Sequence, residues 1–174
     1  MKRKTLFVSI VLHALLLIVV FIFQGMIFPY LRFGGLAPML LPMVSTGVAV
    51  YEGRVTGGVV GIFAGILCDL ALNEPVAVFT VTLTLTGLLV GTLADTFITR
   101  GFVTYVLFCA GVLVLCAAVQ MFPLIYFVGV LPQYLLGTAI WQTIYSLIFA
   151  FPIWFFVNAI GKRIYRESVA GRPQ

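Results

Sequence analysis

Residues 53–69 read GRVTGGVVGIFAGILCD, a stretch in which glycine recurs at every fourth position and an aspartate closes the series. The members of this ladder are Gly53, Gly57, Gly61, Gly65 and Asp69. Because a helix turns by about 100° per residue, positions four apart stay close to one face. In lipid, a face of small residues lets a neighbouring helix approach closely. The ladder therefore predicts a helix-packing or partner-binding surface that ends in a carboxylate.

Composition places the chain in a membrane. Hydrophobic residues make up 63% of the 174 residues and charged residues only 9%, whereas soluble domains carry about 25% charged residues. We therefore predict a single transmembrane helical domain over residues 1–174. The net charge of +5 does not indicate nucleic acid, because the basic residues cluster at the chain ends and short turns, where membrane lipids account for them.

Apolar blocks long enough to cross the hydrocarbon core predict an all-α, polytopic protein. The blocks predict six transmembrane helices, over residues 5–28, 36–51, 56–72, 76–98, 102–122 and 134–160. The second is short, and Pro38 and Pro42 predict an irregular start for it.

Basic residues predict the topology. Six crossings place both termini on one side, and that side then holds nearly all the cations, with Arg32 alone on the other. The positive-inside rule makes the shared side cytoplasmic, so we expect the N- and C-termini inside. The cations on that side are Lys2, Arg3, Lys4, Arg54, Arg100, Lys162, Arg163, Arg166 and Arg172.

Charged residues beside the helices are expected at the cytoplasmic rim. These rim charges are Glu52, Arg54, Asp95 and Arg100. Glu52 is expected to begin a helix, where a carboxylate meets the positive end of the helix dipole. A contact between Asp95 and a rim arginine is expected to contribute little, because exposed ion pairs are weak.

Two polar residues fall within apolar blocks, where a charged group is costly. Asp69 either has a structural role, hydrated at the interface or hydrogen-bonded to a neighbouring backbone across the glycines, or takes part in transport or protonation. His13, the single histidine, either bonds to a helix carbonyl or hydroxyl as a neutral ring or acts as a proton relay.

Catalytic signatures do not occur in the sequence. It contains no H-E-x-x-H, no G-x-S-x-G and no P-loop, the patterns that carry metal, nucleophilic or phosphate chemistry. The cysteines Cys68, Cys109 and Cys116 lie in apolar stretches without metal-site spacing, so we expect buried thiols. The expectation is a protein that is not an enzyme and has no cofactor or metal.

The stretch from Tyr51 to Gly91 resembles the MreD family, bacterial inner-membrane proteins of the rod-shape (elongasome) system. The likeness rests on the Glu52-Gly53 pair, the ladder glycines, the G-x-L-x-D segment from Gly65 to Asp69, and a later helix ending in the sequence GLLVG at 87–91. In many members the loop after the acid reads small-Gly-small-Pro, whereas residues 73–75 here read Asn-Glu-Pro.

The resemblance implies a non-catalytic scaffold in the bacterial inner membrane. Such a scaffold binds the periplasmic coiled-coil protein MreC and works beside the glycosyltransferase RodA and its transpeptidase in peptidoglycan synthesis and rod cell shape. The resemblance also implies a fold similar to the S components of energy-coupling-factor transporters. That likeness supplies the alternative function, an S component that binds a vitamin or metal at the outer side of the bundle. The polar residues on that side are Tyr30, Arg32, Asp69, Asn73, Glu74, Gln133 and Tyr134.

Overall fold

The computed structural model describes residues 3–27, 38–72, 77–97, 101–123 and 132–170. Nearly all of these residues are helical, and no strand occurs among them, so the prediction of an all-helical chain is confirmed. The helices are α1 (Arg3–Ile27), α2 (Leu41–Glu52), α3 (Arg54–Leu72), α4 (Val78–Phe97), α5 (Phe102–Pro123), α6 (Pro132–Ile148) and α7 (Ala150–Ala170).

The short helix α2 lies at the centre of the bundle. Every residue from Leu41 to Val50 is buried, and the helix contacts α1, α3, α4, α5 and α7. It begins at Leu41 rather than near residue 36, with Pro42 in its first turn, where a missing N–H leaves no hydrogen bond unmade. Its 12 residues extend about 18 Å, less than the roughly 30 Å of a hydrocarbon core.

Two other helices hold the buried entry to α2. The N–H of Met39 donates to Oγ of Ser146 on α6 at 3.1 Å, and the N–H of Leu40 donates to Oε1 of Gln24 on α1 at 3.3 Å. These residues precede the helix and are buried, so their amides need acceptors from elsewhere. The start of α2 is therefore fixed by side chains of α1 and α6.

Helices α3 and α4 are antiparallel neighbours that pack along their whole length. Moving along α3 towards its end, successive glycines meet successively earlier residues of α4. Gly57 lies against Gly87, Gly61 against Leu83, and Gly65 against Thr80.

The last predicted helix, over residues 134–160, is broken in the structure. Helix α6 ends at Ile148 and α7 begins at Ala150, and the two segments are bent by 51°. Pro152 explains the break, because it has no N–H to donate to the carbonyl of Ile148 and its ring collides with that carbonyl. The turn is closed instead by the N–H of Phe149, which donates to Ser146 O at 2.9 Å.

Long apolar helices make the chain compatible with a multi-pass membrane protein. Within the described residues four helices are long and apolar enough to cross a membrane, or five if the bent pair forms one span. Their outward faces carry large apolar side chains such as Leu15, Val19, Ile62, Leu89 and Leu107, as expected for surfaces that face lipid. The six crossings predicted from sequence exceed this number because α2 is short.

Candidate functional site

The contact between α3 and α4 is formed by glycines, and we call it the glycine seam: Gly57, Gly61 and Gly65 on α3, with Gly87 and Gly91 on α4. A methyl group on Gly61 would lie 2.5 Å from the carbonyl oxygen of Leu83, and one on Gly87 would lie 2.5 Å from that of Gly57. These neighbours are backbone atoms, so the two helices touch main chain to main chain. The ladder therefore packs against a helix of its own chain.

Asp69, on the last turns of α3, caps the start of α4. Its Oδ1 accepts the N–H of Phe79 at 2.9 Å, and its Oδ2 accepts both the N–H of Thr80 at 3.0 Å and the hydroxyl of Thr80 at 2.6 Å. Since α4 begins at Val78, these amides belong to its first turn and have no acceptor within the helix. A carboxylate there also meets the positive end of the helix dipole. The structure thus contains the bond across the glycines that was one interpretation of Asp69.

Asp95 makes the corresponding contact at the opposite end of the seam. Its Oδ2 accepts the N–H of Arg54, the first residue of α3, at 3.3 Å. Each helix of the pair therefore supplies an aspartate to the N-terminus of the other. The bond from Asp95 is longer, and its carboxylate is exposed, so we expect it to contribute less than the three bonds of Asp69. The fourth predicted rim charge, Arg100, lies outside the described residues.

Gly53 forms the corner between α2 and α3 and lies outside both helices. Its φ is 88°, a conformation that glycine adopts without strain. Its N–H donates to Ala49 O at 3.1 Å, and its carbonyl accepts from Gly57 N at 3.0 Å. A methyl group at this position would lie 2.6 Å from Oδ2 of Asp95. The first ladder glycine therefore forms the turn that precedes the seam.

Glu52 ends α2 instead of beginning a helix, and its side chain is only 7% exposed. Its Oε2 accepts the hydroxyl of Ser9, and its Oε1 lies 3.6 Å from Nδ1 of His13. Nδ1 of His13 also lies 2.9 Å from the carbonyl oxygen of Ser9. We call Ser9, His13 and Glu52 the α1 polar cluster. It replaces the solvated rim position predicted for Glu52.

Neither His13 Nε2 nor Glu52 Oε1 has a hydrogen-bond partner among the described residues, although both atoms are buried. The contact between His13 and Glu52 has no local signal in the sequence, because the acid comes from a different helix. One local signal was available: Ser9 and His13 are four residues apart and share a helix face.

Aromatic side chains of α2, α5 and α7 contact one another. Nε1 of Trp154 on α7 donates to the hydroxyl of Tyr51 on α2, and Phe102 packs edge-on against Trp154 at 5.4 Å between ring centroids. The cysteines Cys68, Cys109 and Cys116 are buried and free. Among the described residues no three His, Cys, Asp or Glu side chains are placed to hold a metal ion.

Several residues expected on the outer side lie outside the described part of the chain: Tyr30, Arg32, Asn73 and Glu74. The side chains of Gln133 and Tyr134 also lie outside it. No family model matches the chain, and neither a curated protein nor a solved structure matches it significantly.

Proposed function

We propose that this chain is a non-catalytic scaffold of the bacterial elongasome in the inner membrane. In this role it binds an MreC-like periplasmic coiled-coil protein and supports peptidoglycan synthesis by a RodA-type glycosyltransferase and its transpeptidase. One observation carries the proposal: most of the residues that resemble the MreD family are residues that join α3 to α4. Gly61, Gly65 and Gly87 make the backbone contacts, and Asp69 caps α4. A resemblance concentrated at helix-packing positions is expected between chains that share the same pair of packed helices.

The hydrogen bonds of Asp69 favour a scaffold over a transporter. Intramembrane carboxylates of transporters lie on a substrate or ion pathway. Both carboxylate oxygens of Asp69 instead accept bonds from the start of α4. Releasing them would leave the amides of Phe79 and Thr80 without acceptors. Because its oxygens are engaged in these bonds, Asp69 is not among the polar groups with which an S component could bind a ligand.

The partner is proposed to contact an outward face of the α3–α4 hairpin. Because α4 covers the seam, the glycines act on partner binding through the shape and rigidity of the hairpin. Isoleucine and leucine side chains such as Ile62, Ile66 and Leu89 extend outward from it.

We further propose six crossings with both termini in the cytoplasm, α2 being a short return crossing. Two contacts support this arrangement. The entry to α2 bonds to Gln24 near the end of α1, and Glu52 at its end bonds to Ser9 near the start of α1. Helix α2 and its entry thus run back beside α1 over the distance from Gln24 to Ser9, about 22 Å at 1.5 Å per residue.

Reporter fusions test the topology. A fluorescent protein that folds only in the cytoplasm and a phosphatase that is active only outside are fused in turn to each end of the full chain. Six crossings give cytoplasmic signals at both ends. Five crossings would give opposite signals, and this result would overturn the proposed arrangement.

Affinity purification tests the function. Tagged wild-type protein is purified from gently solubilised native membranes together with two variants, Gly61→Leu in the seam and Gly111→Leu on α5, where no atom beyond the neighbouring residues and backbone of its own helix lies within 4 Å of an added Cβ. We expect a bitopic periplasmic coiled-coil protein and wall synthases with wild type and Gly111→Leu, and much less of both with Gly61→Leu. ATP-binding cassette subunits in their place would establish the S component. Full recovery with a Gly61→Leu protein that inserts normally would contradict the role of the seam.

A further inference from the structure

Helix α1 is attached to the bundle through a narrow stripe. From residue 7 to residue 26, only Ser9, His13 and Leu17 are buried. They are spaced four apart and therefore share one face. Two of the three are polar, and both lie beside Glu52 at the end of α2. The contact between α1 and α2 therefore contains polar atoms whose hydrogen bonds must be completed away from bulk water.

Part of this hydrogen bonding is completed within the α1 polar cluster. The hydroxyl of Ser9 donates to Oε2 of Glu52. Nδ1 of His13 lies 2.9 Å from the carbonyl oxygen of Ser9, and because a carbonyl oxygen only accepts, this nitrogen carries a proton and donates it. Nε2 of His13 and Oε1 of Glu52 remain, both buried and without a hydrogen-bond partner among the described residues. Buried polar atoms are nearly always paired with protein or with ordered water, so these two atoms require a partner.

The two unpaired atoms lie close enough for one small molecule to reach both. Oε1 of Glu52 is 3.6 Å from Nδ1 of His13, which is too far for a direct hydrogen bond. Nε2 belongs to the same ring, so its distance from Oε1 exceeds 3.6 Å by at most the width of the imidazole. A molecule that bonds to two atoms at about 2.9 Å each joins atoms up to about 5.8 Å apart. A single bridging molecule is therefore sufficient for the pair.

Water is the ligand whose chemistry fits both atoms. In a neutral ring Nε2 holds a lone pair and needs a donor, whereas in a protonated ring it carries a hydrogen and needs an acceptor. Oε1 of Glu52 has the same two alternatives. Water donates and accepts, so it satisfies both atoms in every protonation state, whereas an ammonium or guanidinium group only donates. Buried waters need about two to four polar partners, and the cluster provides two.

The cluster lies at an end of the bundle that carries exposed charges. Glu52 is followed by Gly53 and then by Arg54, whose side chain is exposed. Asp95, which accepts the N–H of Arg54, is exposed as well. Water that reaches these two charges therefore has only a short distance to travel to Glu52.

We propose that the α1 polar cluster binds one ordered water molecule, which bridges Nε2 of His13 and Oε1 of Glu52 and so joins α1 to the end of α2. The attachment of α1 is then a hydrogen-bond network that runs from Ser9 through Glu52 and the water to His13. With the water in place, both atoms that lack a partner among the described residues are paired. The site does not depend on the proposed scaffold role, because an S component with the same α1 contact would hold the same water.

Magnetic resonance of the full chain in lipid nanodiscs tests for the water directly. The single histidine is labelled with 15N and 13C in its ring, and magnetisation is transferred from water protons to the ring. We expect transfer to His13 and none to the side chain of Leu17, which lies one turn further along the same buried face. Absence of transfer to the ring would overturn the proposal.

Other exchangeable protons could carry the same signal, and two controls separate them from water. The hydroxyl of Ser9 exchanges its proton with water, so the measurement is repeated in Ser9→Ala. Transfer that persists supports the water, and transfer that disappears would assign the signal to the hydroxyl. Lysine and arginine side chains are then labelled with 15N. A through-space contact between such a nitrogen and the His13 ring would overturn the proposal, and its absence supports the water.

Two replacements of Glu52 test the bridge. Glutamine keeps a hydrogen-bonding atom at the position of Oε1, to which water either donates or from which it accepts. Leucine removes that atom and leaves the water with Nε2 of His13 alone, fewer partners than a buried water needs. We expect transfer from water to His13 to persist in Glu52→Gln and to be lost in Glu52→Leu. Equal transfer in the two variants would rule out the bridge. If Glu52→Leu does not fold, the wild-type and Ser9→Ala measurements decide.

Discussion

Alanine in place of Gly61 is expected to weaken the bundle, and alanine in place of Gly111 is not. A methyl group on Gly61 would lie 2.5 Å from the carbonyl oxygen of Leu83 and 3.2 Å from Cα of Thr84. These are backbone atoms of α4, which cannot rotate aside as a side chain can. Around Gly111 on α5, no atom beyond the neighbouring residues and backbone of its own helix lies within 4 Å of the added carbon.

The difference between these two variants isolates the cost of overpacking. Both gain the same helix propensity, up to about 1 kcal/mol for glycine to alanine, and this gain cancels in the comparison. Relieving the contact at Gly61 requires α4 to retreat by about 1 Å to reach ordinary van der Waals separation. Overpacking of this kind costs about 1–3 kcal/mol. We therefore expect Gly61→Ala to unfold about 1–3 kcal/mol more easily than Gly111→Ala.

Reversible unfolding in mixed micelles, followed by tryptophan fluorescence, measures this difference. Gly58→Ala provides an intermediate case, because its methyl group would meet only the end of the Leu88 side chain, with Cδ2 at 2.6 Å. The expected order of stability is Gly111→Ala, then Gly58→Ala, then Gly61→Ala. If Gly61→Ala and Gly111→Ala unfold at the same detergent composition, the seam is not held by close backbone contact.

Three further predictions follow from individual contacts. Asp69→Ala should lower the free energy of unfolding by about 2 kcal/mol, since it removes a cap with several bonds. Asp95→Ala should lower it by less than about 1 kcal/mol. Equal losses in the micelle assay, or equal tolerance in a cell-shape complementation assay, would contradict this order. Pro152→Ala should supply the N–H donor that the carbonyl of Ile148 lacks and reduce the 51° bend. Distances between spin labels on α6 and α7 measure the bend, and unchanged distances would show that tertiary packing sets it. Gly53→Ala should cost about 1–3 kcal/mol through backbone strain alone, because the φ of 88° and ψ of −169° at this position are essentially restricted to glycine. A Gly53→Ala/Asp95→Ala double variant, which removes the clashing carboxylate, should therefore remain destabilised relative to Asp95→Ala.

The seam could be foreseen because its signal is local. A four-residue glycine period defines a smooth helix face wherever the helix is placed. Gly61 and Gly65 therefore identified a packing surface from sequence. A short connection between consecutive helices also favours antiparallel neighbours, so α4 was an available partner for that face. The interpretation of Asp69 as a hydrogen-bond acceptor across the glycines follows from the same geometry.

The position of Glu52 could not be foreseen in this way. Sequence placed it at the start of a helix, because Gly53 continues the four-residue glycine period of α3; the same glycine is also typical of the position just after a helix end. The positive φ of Gly53 turns the chain there, and the burial of Glu52 depends on α1 lying alongside. Only the three-dimensional arrangement brings His13 to it. The break before Pro152 had a local signal, a proline inside an apolar run, but the length of the run favoured one continuous helix.

The described acids reveal how this apolar chain specifies its helix pairs. Each accepts a hydrogen bond from a helix other than its own: Glu52 from α1, Asp69 from α4 and Asp95 from α3. In lipid, apolar surface gives little preference for one neighbouring helix over another, because the acyl chains are equally apolar. Close backbone contact and polar bonds must therefore provide the specificity. The acids are few, and because they lie near helix ends their bonds favour particular helix pairs in a particular register.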